Sequence, residues 1–259
     1  MLSADGRFEI RVTRDQADVE AAQRLRYHVF YEEMSADPTS EMRSVRRDID
    51  RFDLICDHLL VLDRERPAAQ QIVGTYRMLL QVDAEANGGF YSAGEYDVAA
   101  FVSRFGDRIA AEIGRSCVHA DYRNKRIVEL LWRGLAHYYR DNKIERIFGC
   151  ASFQGTDPAA LALPLSYLYH YHLAPPELRA RALPDLYVPM DRIAKEDISA
   201  RGAIKQVPAL IRAYLRAGGV CGDGAVIDHQ FGTTDVFMVL AMENVPDKYH
   251  DYYERDSPG

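Results

Sequence analysis

The sequence predicts an α/β fold, a central mixed sheet flanked by helices with an extra helical segment in the C-terminal half, and three observations lead there. Two apolar runs, His58–Leu62 and Ile72–Leu79, are separated by the charged turn Asp63–Gln70, the pattern of an antiparallel hairpin. Residues 109–142 run from an apolar stretch through a tight turn into a long amphipathic segment, a strand leading into a helix. Strand-like and helix-like stretches alternate along the chain in an order that gives an α/β sheet with mixed strand directions.

In chain order, Phe8–Val12 alternates as a first strand. Asp15 is placed to cap a helix whose apolar positions, Val19, Ala22, Leu25, Val29 and Phe30, recur at helical spacing to about Met34. Ser35–Arg51 is polar and Arg-rich and reads as a surface loop. The hairpin follows, then a short helix over Tyr96–Phe105 and a strand over Ile109–Val118. Asp121–Asn142 is a helix with Ile127, Leu130, Leu131, Leu135 and Tyr138 on one face. Arg146–Ala151 is a short strand, and a helix is expected from Asp157–Pro158, proline being favoured in a first turn. Between Leu173 and Arg201 four prolines loosen the pattern. A helix returns at Pro208–Ala217, the glycine-rich GGVCGDGA reads as a turn, and Asp235–Met242 is the last strand. No repeat or Gly/Ser linker divides the chain, so one domain is expected, with a core over residues 8–245 and a peripheral tail over 246–259.

The chain has 259 residues, 47% of them hydrophobic, enough for a sizeable core. Its net charge of −7 argues against a general nucleic-acid binder. The four cysteines, Cys56, Cys117, Cys150 and Cys221, form no CxxC pair and read as reduced thiols. The first residues carry charges where a signal peptide needs an apolar core, and no run of roughly 18 apolar residues occurs. A cytoplasmic protein is expected, with peripheral contact with the inner membrane left open.

The most informative segment is 111–140, AEIGRSCVHADYRNKRIVELLWRGLAHYYR. Unpaired backbone N–H groups at the start of its helix make an anion site, and Arg123, Lys125 and Arg126 add positive charge. A solvated basic turn is the plainer alternative. Val118, Tyr122 and Arg123 match the cofactor loop of the GNAT acyltransferases, V-x-P-x-[YFW]-[QR]-x-x-G-x-G/A, which the segment resembles. Arg126 and Val128 stand where that loop has glycines. Side chains there crowd a diphosphate, so the departure favours the single phosphate of a carrier-protein pantetheine arm over coenzyme A. On this resemblance Arg123, Asn124, Lys125, Arg126, Ile127 and Val128 are the expected phosphopantetheine-binding residues.

Arg26, Phe30, Asp50, Asp53, Arg77 and Glu112-Ile-Gly-Arg115 are similar in order and spacing to the acyl-homoserine-lactone synthases. Longer blocks, 50–63, 112–135, 149–183 and 220–240, resemble the ornithine N-acyltransferases of bacterial ornithine-lipid synthesis. That resemblance covers about residues 8–245. It implies transfer of a β-hydroxyacyl group from acyl carrier protein to the α-amine of L-ornithine, giving lyso-ornithine lipid. No separate cofactor and no metal are expected.

Aminolysis of a thioester needs a neutral amine, a polarised carbonyl and a proton for the departing thiol. Glu112 is the expected base, the alternative being a salt bridge to Arg115. Residues three apart on a strand face opposite ways unless a bulge intervenes, and this family usually has one there. The backbone N–H near Val118 is the expected carbonyl partner. Tyr167 is the expected proton donor, with packing as the competing role for it and for Tyr169. Asp50 and Asp53 are candidates for the substrate's ammonium groups, and Arg77 and Arg115 for its carboxylate. Asp57 reads as a solvated loop residue, Arg26 as needing a buried partner and Trp132 as core. His170 and His172 lack companions for a metal site. Asp228-His229 receives no role. An acidic carrier protein is expected to dock on Arg43, Arg46 and Arg47 together with Arg123, Lys125 and Arg126. A lactone synthase using S-adenosylmethionine and an inactive GNAT-like binding module are the competing readings.

Overall fold

The computed structural model describes residues 1–3 and 5–246. Its elements run β1 (Phe8–Thr13), α1 (Gln16–Tyr27), α2 (Ser40–Val45), β2 (Asp57–Asp63), β3 (Ile72–Leu80) and α3 (Gln81–Ala86). Then come α4 (Val98–Val102), β4 (Ala110–Val118), α5 (Lys125–Asp141), β5 (Arg146–Gln154) and α6 (Ala162–His172). The chain continues with α7 (Ala200–Gln206), α8 (Ala209–Arg216), β6 (Val220–Asp228) and β7 (Thr233–Ala241). The predicted architecture of strands flanked by helices is present, and the chain forms two compact units. One comprises 1–88 with 111–144, the other 89–110 with 145–246. The expected tail lies, from residue 247 on, outside the described residues.

In the first unit β1, β2, β3 and β4 pair in that order, each antiparallel to the next. Asp15 caps α1 as expected, accepting from the N–H groups of Ala17 and Asp18. The helix does not continue unchanged to Met34, because His28–Glu33 widens into a π-helical stretch. Part of the expected loop at 35–51 is helical, α2, capped by the Thr39 hydroxyl. One face of the sheet packs against α1 through Leu60, Leu62 and Cys117, which meet Ala22, Leu25 and Val29. The other face takes α5. Close approach there depends on Gly74 and Gly134, since a Cβ on Gly134 would lie 2.5 Å from Leu59 Cδ1. The expected helix at 121–142 starts at Lys125, with Asn124 as its cap.

In the second unit β5 pairs with β7 and β7 with β6, all antiparallel. The segment GGVCGDGA is not the turn expected of it: most of it is the irregular strand β6. Its glycines serve close packing rather than chain reversal. A Cβ on Gly222 would lie 2.8 Å from the Ala180 carbonyl, and one on Gly224 2.5 Å from the Tyr187 ring. The proline-rich stretch therefore lies directly on β6, making single bridges from Leu173 to Cys221, Arg181 to Asp223 and Val188 to Ala225. The helix expected from Asp157–Pro158 begins later, at Ala162, and α7 went unpredicted. Phe90, Phe101, Phe148 and Phe237 form an aromatic core, with Phe148 stacked on Phe237 and the other contacts edge-on. Among the described residues no helix is long and apolar enough to cross a membrane.

Candidate active site

Strand β4 carries the centre of the site. Its register against β3 slips between Thr75 and Arg77: Thr75 faces Cys117, while Arg77 faces Gly114 and Leu79 faces Glu112. Arg115, inside the slip, has a left-handed backbone with φ of 50°. This is the bulge that a regular strand would lack, and it has a direct consequence. Glu112, Gly114 and Cys117 all share the sheet face of Arg77 and α1, and the guanidinium of Arg115 joins them by reaching Asp48 and Asp50. Glu112 is itself buried.

Six charged side chains on this face close into a ring of alternating sign. Arg26 bridges Asp48 at 2.7 Å and Asp53 at 2.8 Å. Arg77 bridges Asp53 at 3.0 Å and Asp50 at 2.6 Å. Arg115 completes the circuit, 3.2 Å from Asp50 and 3.2 Å from Asp48. Every arginine touches two aspartates and every aspartate two arginines, so the buried charges cancel. Burial falls around the ring: the side chains of Arg26 and Asp48 are 0% and 1% exposed, those of Arg115 and Asp50 12% and 21%. Burial pushes the Asp48 and Asp53 carboxyls up, but the neighbouring arginines outweigh it and hold both below the usual carboxylate range. Gln23 and the backbone N–H of Asp50 also donate to Asp53, and the hydroxyl of Tyr31 donates to Asp48. His58 lies 3.1 Å from the Asp53 carbonyl, and burial lowers its pKa, favouring the neutral ring.

The four residues expected to bind the amino acid therefore divide. Asp53 and Arg77 are buried within the ring and hold it together; Asp50 and Arg115 form its exposed edge. The buried partner expected for Arg26 is present twice over. Asp48 and Tyr31 were missed. Asp48 stands in the acidic run Asp48-Ile-Asp50-Arg-Phe-Asp53, and a buried arginine upstream is a signal for such a carboxylate. Tyr31 offers no sequence signal, because it reaches Asp48 only from the π-helical stretch, a distortion frequent at functional sites.

The expected phosphate turn is more heavily occupied than its sequence suggests. The Asn124 side chain accepts from the Ile127 N–H at 3.2 Å, taking one of the donors at the start of α5. The Ile127 side chain is fully buried in the core. Arg123 donates to the Val118 carbonyl and pairs with Glu33, Lys125 pairs with Glu129, and Arg126 with Asp5. Val128 is exposed. In the other expected docking stretch, Arg43 pairs with Asp37, Arg46 with Glu32 and Arg47 with Glu20. The six cations thus form a mosaic of ion pairs, not an uncompensated basic patch. Asp57, expected to be solvated, binds Arg14 and the Tyr138 hydroxyl.

In the second unit the Tyr167 hydroxyl lies 3.0 Å from His172 Nε2, and its ring stacks on Tyr171. Burial raises the pKa of Tyr167 and lowers that of His172, so a protonated phenol faces a neutral imidazole. Neither His170 nor His172 joins a metal-type cluster among the described residues. The grouping found there is all carboxylate, Glu95, Asp228 and Asp235, with oxygens within 4.8 Å of one another. Burial pushes the thiols of Cys56, Cys117 and Cys221 up to about 12 and that of Cys150 well above its usual value. All four are poor nucleophiles at neutral pH.

Residues 25–133 match the acetyltransferase (GNAT) domain family. The L-ornithine N(alpha)-acyltransferase of Agrobacterium fabrum is 47% identical over 250 residues, covering 96% of this chain and 85% of that protein. The enzyme of the same name from Brucella abortus is 49% identical over 256 residues, covering 98% and 91%. Among solved structures, FeeM, an N-acyl amino acid synthase from uncultured soil microbes, matches with a TM-score of 0.53 at 9% identity, over 92% of this chain and 94% of that one. BjaI, a CoA-dependent acyl-homoserine lactone synthase, matches with a TM-score of 0.53 at 14% identity, over 97% and 90%. The two structural likenesses show the fold alone.

Proposed function

The chain belongs to the family of L-ornithine N(alpha)-acyltransferases, and from that premise we propose that it moves a 3-hydroxy fatty acyl group from acyl carrier protein to the α-amine of L-ornithine, forming lyso-ornithine lipid. That it is an N-acyltransferase follows from the family. The observation that supports an amino acid as acceptor is the ring of charges with Asp50 and Arg115 at its exposed edge. An arginine there suits a free carboxylate and an aspartate an ammonium.

Direct aminolysis accounts for the residues present. The neutral α-amine attacks the thioester carbonyl carbon; the C–N bond forms and the C–S bond breaks. Glu112 accepts the proton that the nitrogen loses, and the thiolate leaves with a proton for which Tyr167 is our candidate donor. The backbone N–H near Val118 polarises the carbonyl. The elevated thiol pKa values disfavour an acyl-cysteine intermediate. The altered turn at Arg126 and Val128 supports a pantetheine arm on a carrier protein as donor over coenzyme A. The reaction as written needs neither metal nor S-adenosylmethionine. An amphiphilic product is a reason to include peripheral contact with the inner membrane in the reading.

The test is mass spectrometry of purified protein with 3-hydroxyacyl carrier protein, L-ornithine and a chelator. The expected product is Nα-acyl-ornithine. A strong preference for acetyl-coenzyme A would overturn the donor assignment. Product formed only with S-adenosylmethionine would favour lactone-synthase chemistry.

A further inference from the structure

We infer that Asp50 selects the side-chain ammonium of the amino-acid substrate and thereby directs acylation to the α-nitrogen. This rests on the reading above, acylation of ornithine at its α-amine, and asks how one of two amines is chosen.

The ring supplies the argument. Its four contacts to Arg26 and Arg77 lie between 2.6 and 3.0 Å, whereas both aspartate contacts of Arg115 are 3.2 Å. Asp50 is held more closely on one side than on the other. Its Oδ1 accepts from Arg77 at 2.6 Å and from the Phe52 N–H at 2.8 Å, while Oδ2 has the 3.2 Å contact with Arg115. Of the two 3.2 Å links, that between Arg115 and Asp50 is the less buried. A ligand carrying a carboxylate and an ammonium replaces that link charge for charge, carboxylate on Arg115 and ammonium on Asp50 Oδ2. No charge in the buried part of the ring loses its partner.

An amine held as ammonium against a carboxylate has no lone pair and does not attack. The nitrogen on Asp50 is thus the protected one. Ornithine has two amines, and acylation at the α-position leaves the side-chain nitrogen for Asp50. An amino acid of the same length without that charge draws Arg115 to its carboxylate and leaves Asp50 Oδ2 uncompensated. Asp50 consequently sets the preference for a basic side chain as well as the position of acylation.

The experiment compares kcat/KM for L-ornithine and for L-norvaline, which has the same carbon chain without the ammonium, in wild type and Asp50→Asn. Asparagine keeps an oxygen to cap the turn at Phe52, and Asp50→Ser is a second capping replacement should the first not fold. The ornithine-to-norvaline ratio is expected to fall on the order of ten- to a hundredfold in the variant, the size of one lost charge-assisted hydrogen bond. Equal losses for both substrates would mean that Asp50 only supports the ring, and the inference would be wrong. Wild type acylating norvaline as well as ornithine would also overturn it while leaving the acyltransferase reading intact. Wild type acylating neither removes that reading, and the inference with it.

Discussion

Glu112 lies opposite Leu79 on the sheet face of Arg77, the bulge farther along its strand lets the Arg115 guanidinium reach that face too, and this position gives its replacement a distinct signature. A base acts in the transition state, whereas a structural ion-pair partner acts on the fold. Glu112→Gln is therefore expected to lower kcat on the order of a hundredfold while the KM for the acyl donor changes little. Steady-state kinetics on a variant with an unchanged melting curve makes the check. Near-normal turnover would return Glu112 to a supporting role. The same bulge sets Arg115 apart from Arg77. Arg77 lies in regular strand, buried against Asp53, while Arg115 in its left-handed conformation reaches the more exposed end of the ring.

At the scale of elements, the sheet of the first unit depends on how closely α5 approaches it. Ile127, Leu131 and Gly134 lie along that helix, and Gly134 comes nearest: an added Cβ would meet Leu59 at 2.5 Å and Ile10 at 2.9 Å. Both neighbours are buried and have little room to yield. Gly134→Val is expected to cost about 2 kcal/mol or more, overpacking outweighing the gain in helix propensity. Thermal or urea unfolding reads this directly, and an unchanged midpoint would show that α5 can move outward freely. In the second unit β6 shows the same principle in another form. Its glycines admit a neighbouring segment at backbone distance, a use of glycine that the sequence alone does not distinguish from a turn.

At the scale of the whole molecule, acid stability should record the ring. Asp48 and Asp53 have folded pKa values below their ordinary ones, so the unfolded chain binds more protons as the pH drops. Their contribution is complete above the unfolded value of about 4 and is lost as pH falls through the lower folded values. Unfolding free energy is expected to be nearly flat with respect to these groups above about pH 5 and to decline steeply below about pH 4. Urea titrations across that range measure it, and a stability that stays level to about pH 2 would be incompatible with the depressed carboxyls. The acidic balance of the chain, −7, acts alongside. The basic residues near the expected donor turn are already matched by carboxylates, so the long-range field toward an acidic carrier protein is weaker than their sequence clustering implies.

Local pattern sufficed for most of the elements and for the family: apolar spacing in α1 and α5, alternation in β1, the charged interruption between β2 and β3, and long motifs at 50–63 and 112–135. These depend on residues within a few positions of one another, where periodicity and side-chain chemistry leave few alternatives. The same route found Asp50, Asp53, Arg77, Glu112 and Arg115 as site candidates and gave each type a chemistry, but could not tell the deeply buried members of the two pairs from the others. That separation depended on the fold. Arg26, Asp48 and Arg115 lie far apart along the chain and meet in the fold, where Tyr31 reaches Asp48 from the widened stretch after Tyr27 and Arg115 reaches it from the bulge of β4. Which aspartate is least buried, and which arginine most enclosed, follows from the partners that the fold brings around each. Ion pairing is not periodic, and the sequence shows that Arg26 needs a carboxylate without showing which one, so only the tertiary structure decided the pairing.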